Sequence, residues 1–404
     1  MLKRGLAVIG PGMLVAATGV GAGDLATAGF SGAQLGTAVL WAVALGGAFK
    51  YLLNEGLARW QLSTGTTFID GVTRHLGRTV AWVFLPYLVL WSYFVGAALM
   101  GACGVALYAI FPVFAEASTG KLVFGIVASL AGLLLVRAGG FRVFESVMAG
   151  LIGLMFVSVL GTAVILWPGL GPVARGILVP SIPDASDGGL AWTIALIGGV
   201  GGTVTILCYG YWIREKGREG ASWLRTCRLD LGVGYAMTVL FGLAMVIIGS
   251  HVSVSGGGAD LLVRLADALE GAAGPGMRWV FLAGALAAVF SSLLGVWQAV
   301  PYLFADVLRG LRNAPESDLS ATRAFRLFQL ALATVPMLGL LTSFRQAQLL
   351  YAIAGAAFLP LLAVALLLLN GRSALVGSLR NSRVVSLALL LTLGFFLWAG
   401  VRAL

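Results

Sequence analysis

The stretch GPGMLVAATGVGAGDLAT, residues 10–27, is an apolar helix pattern interrupted by Gly19, Gly21 and Gly23, with one acid, Asp24, inside the interruption. A carboxylate at the centre of a membrane helix costs roughly 2.5–3.5 kcal/mol on insertion scales. Glycines let backbone groups turn away from their helical partners, and chain facing lipid does not tolerate that. An interrupted helix with a buried acid is therefore the pattern of a site for a polar solute. Asp24 also suits a cap on the second half-helix, whose N-terminus carries partial positive charge. Ligand and cap both stay open at this point.

The rest of the chain places that stretch in a bilayer. Of 404 residues, 59% are hydrophobic and 10% are charged, against about 25% charged in soluble domains. Apolar runs near the 20 residues a spanning helix needs recur at 8–30, 36–56, 82–112, 121–137, 146–167, 190–212, 230–250, 278–307, 322–342, 347–369 and 384–402. An all-α integral membrane protein of eleven spans follows, its partners the lipid bilayer and a small solute. The net charge of +10 raises the question of nucleic acid, and its distribution answers it. With the N-terminus in the cytoplasm, the inner segments hold Lys3, Arg4, Arg59, Arg74, Arg78, Arg137, Arg142 and the cluster from Arg214 to Arg228. The pairs Arg309 and Arg312, Arg323 and Arg326, and Arg380 and Arg383 fall on the same side. The outer segments keep Lys121, Arg175, Arg264, Arg278, Arg345 and Arg402. That asymmetry is membrane topology and not a nucleic-acid surface. It puts the protein in the cell's inner membrane with the C-terminus outside.

Cys103, Cys208 and Cys227 have no paired spacing and imply neither a disulfide framework nor a zinc site. The start of the chain resembles a signal peptide, yet the apolar pattern runs on past Asp24, so it reads as the first span of the mature protein. Nothing in the pattern calls for a cofactor.

A second interruption, GGVGGTVTILCYGYW at 198–212, falls in span 6. Breaks at matching places in two halves are the mark of a repeat transporter. The expected organisation is one transmembrane domain, with repeat 1 at about 6–167, repeat 2 at about 190–369 and an extra helix at 384–402. Two longer outer loops, 168–189 and 251–277, connect the spans. The second contains DLLVRLADALEGA (260–272), an amphipathic piece expected to lie on the outer face.

GPGMLV (10–15), GDLAT (23–27), LARWQLSTG (57–65) and the serines Ser291 and Ser292 of FSSLLG together resemble the Nramp family of divalent-metal transporters. The resemblance implies a LeuT-like fold, a five-plus-five inverted repeat with broken helices 1 and 6, and alternating access at a midplane site set against spans 3 and 8. It also shows where this chain departs. The family's D-P-G-N motif falls on Gly21, Ala22, Gly23 and Asp24, and its M-P-H motif on Thr205, Ile206 and Leu207, followed by Cys208 and Tyr209. Span 3 has no Asp, Glu or His where the family places acids for its proton route, and span 10 has Tyr351 with Phe358 in place of a polar amide.

The rewritten positions define the expected substrate site: Gly21, Ala22, Gly23, Asp24, Thr205, Cys208 and Tyr209, with Asp24 and Thr205 as metal ligands. Carboxylate, hydroxyl and carbonyl oxygens suit Mg²⁺ or Mn²⁺, and carbonyls freed at Gly21 and Ala22 would complete the set. Cys208 is either a sulfur donor or plain packing. A second class keeps the fold and changes the solute: Gly21, Gly23 and the Gly201–Gly202 pair would present amides to a small anion, carboxylate or amino acid. Ser291 and Ser292, with Ala288, would then form a sodium site. Without buried acids in span 3, proton coupling has no relay, so sodium-coupled and uncoupled transport stay open. Glu55 is expected to pair with a loop arginine or Lys50, and Gln298 to bond a neighbouring helix. Two peripheral histidines, His75 and His251, offer nothing for a membrane enzyme.

Overall fold

A backbone in lipid must satisfy its own hydrogen bonds, and the chain accordingly folds as helix after helix with short turns. The computed structural model describes residues 10–253, 258–314 and 318–403. Lys3 and Arg4, and positions 254–257 of the second outer loop, lie outside the described residues. Among the described residues, ten stretches are long and apolar enough to cross a membrane. The first, Asp24–Thr64, holds the second half of span 1 and all of span 2, which part at Gly36 (φ +65°). Gly10–Gly19 supplies the first half of span 1, so the described residues contain eleven helical passes. Span 2 is Leu40–Thr64 and span 3 is Arg78–Ile110. Spans 6, 7 and 8 are Leu190–Glu215, Ala221–Gly249 and Pro275–Leu311, and span 10 is Phe344–Asn370.

The spans separate into an inner and an outer set. Span 6 is 89% buried and span 11 only 22%, which puts the glycine-rich break at the centre and the extra helix at the lipid boundary. Spans 4 and 5, Ala117–Phe141 and Val143–Ile165, are two helices that part at Gly140, where φ +61° admits glycine and few other residues. Span 1 lies against span 7 backbone to backbone. A methyl group at Gly12 would stand 2.2 Å from the Asp230 carbonyl oxygen, and one at Gly32 2.2 Å from that of Val246. Small residues allow such approach, and close packing holds helices together in lipid. The outer piece forms the helix Leu261–Ala273, burying Leu261, Leu262, Leu265 and Leu269. Its charges pair at the surface, Arg264 with Asp260, and Arg278 with Asp267 and Glu270. The LARWQLSTG stretch ends span 2 at a left-handed Gly65 (φ +71°), after which Thr67 caps a short helix.

Candidate functional site

The two interruptions take different forms. In span 6 the helix Leu190–Gly199 stops, Gly201 and Gly202 adopt φ +73° and +82°, and the chain resumes as a tight turn, Val204–Cys208, before Tyr209–Glu215. Positive φ at two successive residues is open to glycine at little cost, so GG at 201–202 produces this break. Carbonyls of the last helical turn and the amide of Gly201 are thereby turned out of the helix. In span 1 the ladder never opens. Residues Val20–Thr27 form a π-helical turn between the helices Gly10–Gly19 and Ala28–Leu35. Such wide turns often mark functional sites. The carbonyls of Gly21 and Ala22, expected to be freed, thus stay within a hydrogen-bonded turn.

Asp24 leaves this turn toward span 6. Its side chain is fully buried, and Oδ2 accepts from the Gly201 amide at 2.9 Å. It therefore caps the broken end of span 6 and not its own second half-helix. Oδ1 has no hydrogen-bond partner among the described residues, and lies 3.1 Å from the position a Cβ would take at Gly242 of span 7. The Val200–Gly201 peptide is held from its carbonyl side by Lys50 of span 2. Its ammonium, also fully buried, donates to the carbonyl of Gly198 at 2.6 Å and to that of Val200. Lys50 is the cationic charge acting on Asp24, and Asp24 the anionic charge acting on Lys50. Each charge alone would be costly at this depth. Together they match the dipole of the Val200–Gly201 peptide, with the ammonium on its carbonyl and the carboxylate on its amide.

Around the break, Thr203 accepts from the Trp91 indole of span 3 at 2.9 Å and touches Tyr351 of span 10. Thr205 is buried in the tight turn, its hydroxyl over Gly202, and Cys208 is buried at the turn's end. Tyr209 points elsewhere. Its hydroxyl donates to Asp230 of span 7 at 3.0 Å, in a cluster with Arg218 (2.9 Å) and the Gly12 amide (2.9 Å). Ser292 fastens the π turn: its hydroxyl accepts from the Gly21 amide at 2.7 Å and contacts the Ala17 and Thr18 carbonyls at 2.9 and 2.8 Å. Ser291 bonds the Ala288 carbonyl of its own helix at 2.9 Å. The structure thus joins Asp24 to Gly201 and sets the Thr205 hydroxyl over the adjoining Gly202. It sends Tyr209 to a separate cluster and commits the serine hydroxyls to backbone.

Glu55 pairs with Arg59 and Arg228, both at 2.8 Å, and not with Lys50. The Gln298 oxygen accepts from Trp212 at 3.0 Å, as expected of helix–helix bonding. The sequence reading missed a second buried acid system at the arginine-rich end. There Asp306 accepts from Thr67 (2.5 Å), Tyr211 (2.8 Å) and Arg309 (2.7 Å), while Asp70 binds Arg309 and Arg74. Lys50 was the most legible omission: it is a cation within an apolar span, and an ionisable residue at membrane depth is a site candidate by default. Among the described residues no three His, Cys, Asp or Glu converge on a metal geometry. A cation held here would rely on Asp24, Thr205 and backbone oxygens.

A profile of the Nramp family, natural resistance-associated macrophage protein-like, matches residues 12–404. Over 266 residues the chain is 30% identical to a divalent metal cation transporter MntH of Verminephrobacter eiseniae, a match spanning 61% of this chain and 57% of that protein. The chain thus covers less than two thirds of that relative's length. Its fold matches a manganese transporter mutant of Eremococcus coleocola with TM-score 0.74 at 18% identity, over 100% of this chain and 87% of the other. It matches MhsT in complex with L-phenylalanine with TM-score 0.68 at 18% identity, over 99% and 98%. Both likenesses concern the fold, which is LeuT-like.

Proposed function

This chain belongs to the Nramp family, and we propose that it is a membrane carrier moving a small ion by alternating access, with Mg²⁺ or Mn²⁺ as its substrate. One observation carries the reading. A fully buried carboxylate, Asp24, stands at the broken centre of the most buried span with one oxygen unpartnered among the described residues. The break itself offers the Thr205 hydroxyl and backbone carbonyls, oxygen donors that suit hard cations. In this reading the two five-span repeats, 6–167 and 190–369, rock about the junction of spans 1 and 6. The N-terminus is cytoplasmic, and Asp24 and Thr205 contact the ion. Coupling by protons has no support from span 3.

The ammonium of Lys50 favours a second reading. It cancels the charge of Asp24, so a LeuT-like carrier of a solute without net positive charge, such as an amino acid, fits the same frame. Uptake of Mn²⁺ and Mg²⁺ into proteoliposomes separates the two. The first reading expects uptake in the wild type and a loss of at least tenfold in Asp24→Ala. Silence toward both ions from folded protein, with uptake of an amino acid, would establish the second.

A further inference from the structure

We infer that the broken end of span 6 is a monovalent-cation site and that Lys50 fills it as a tethered cation. The inference rests on the carrier reading and favours its second form, a solute without net positive charge, and it stands on the geometry of the break.

The helix Leu190–Gly199 ends in the middle of the protein, so its last carbonyls have no following helical turn to serve them. Two of the oxygens of this region, on Gly198 and Val200, converge on one nitrogen, the Lys50 ammonium. The helix dipole adds negative character at the same end. Asp24 supplies the one full negative charge, bonded to the next amide in sequence, Gly201. Neutral carbonyl oxygens with a single carboxylate nearby make a surrounding for one positive charge. A divalent ion in the same cradle would leave an uncompensated buried charge, which proteins avoid. The ammonium of lysine is a compact point charge on a flexible stem, and it does here what a bound K⁺ or NH₄⁺ would do.

Several charged or titratable groups border the pair. Asn54 of span 2 donates to the Tyr235 hydroxyl of span 7 at 3.1 Å. Both Tyr235 and Tyr351 of span 10 sense the charge of Asp24. With the ammonium on the Val200 carbonyl and the carboxylate on the Gly201 amide, the cradle sets one base against one acid, and Lys50 is a specificity-determining residue: it presents the solute with a site of no net charge.

The test is the thermal stability of the purified full-length protein in KCl, NH₄Cl, NaCl and choline chloride at equal ionic strength. Wild type should melt at one temperature in all four salts. Lys50→Met, which keeps the stem and removes the charge, should melt several degrees higher in a small inorganic cation than in choline, with saturation. Adding Asp24→Asn to Lys50→Met should erase that dependence. A Lys50→Met protein indifferent to the cation would overturn the inference. Should Lys50→Met prove too unstable to purify, the neutral pair Asp24→Asn with Lys50→Met should recover monodisperse protein. Recovery no better than the single variant would equally overturn it. None of these readouts uses flux, so the cation site can fail while the carrier reading stands.

Discussion

Spans 1 and 6 occupy corresponding places in the two halves of the chain, and they solve the same problem differently. Span 6 opens outright, with Gly201 and Gly202 at positive φ and carbonyls released to Lys50. Span 1 widens into a π turn and keeps its ladder, with the Ser292 hydroxyl serving the Gly21 amide and the Ala17 and Thr18 carbonyls. The charge is on the intact span and the free backbone on the broken one. Asp24 crosses from the first to the second, so neither interruption is a site by itself. The contrast teaches that a glycine-rich stretch in a membrane helix has two outcomes. Which one occurs depends on whether a neighbouring side chain is placed to serve the displaced backbone groups.

That difference can be broken by substitution, starting where backbone conformation is at stake. Gly201→Ala forces a side chain into φ +73° and sets its Cβ 3.0 Å from the Tyr235 ring. Strain of this kind costs about 1–3 kcal/mol, read as a fall in melting temperature, and trimming Tyr235 should not restore it. Gly21→Ala meets a different obstacle, since its Cβ would lie 2.4 Å from that of Ser292. The penalty there is steric, so a compensating Ser292→Gly should return part of the lost stability, the remainder being the cost of the missing hydroxyl at the π turn. If the partner change rescued the span-6 variant and not the span-1 variant, the distinction between the two interruptions would be reversed. Ser292→Ala alone removes the hydroxyl from the π turn. It should cost about 1–3 kcal/mol, the range for leaving a buried group unsatisfied, and a sodium dependence of uptake in the wild type that vanished in this variant would reopen the serines as an ion site. Tyr209→Phe has the smallest expected effect, about 1 kcal/mol for the lost bond to Asp230. It should leave the apparent affinity for the transported solute unchanged, because that hydroxyl serves Asp230.

Much of this was legible in the sequence. The apolar runs and the arginine asymmetry gave the eleven spans, and paired Gly-rich interruptions with Asp24 gave the junction. The amphipathic pattern at 260–272 gave the outer helix. The π turn was not legible, because its glycines read the same as those of an open break until Ser292, far along the chain, is placed beside Gly21. Tyr209 misled for a related reason. It sits next to the break in sequence, but one residue's rotation around a helix start decides which neighbour its hydroxyl meets. Asp230 and Asp306 stand at the ends of their spans, where an acid reads as a loop-edge charge. Only packing reveals that Asp230 meets Arg218 and Asp306 meets Arg309 in the protein interior. Lys50 was visible as a charge within span 2, yet its partners lie well over a hundred residues away, and no local pattern names them.

The most direct test is a double-mutant cycle on the buried pair, comparing stability in wild type, Asp24→Asn, Lys50→Met and the double variant in choline chloride. If the two residues hold the Val200–Gly201 peptide of the span-6 break as one unit, each single change leaves a buried charge unbalanced, at a cost of about 3–5 kcal/mol. The double variant should then be destabilised by far less than the sum of the two. Additivity within about 0.5 kcal/mol would mean that Asp24 and Lys50 act independently, and would contradict the account.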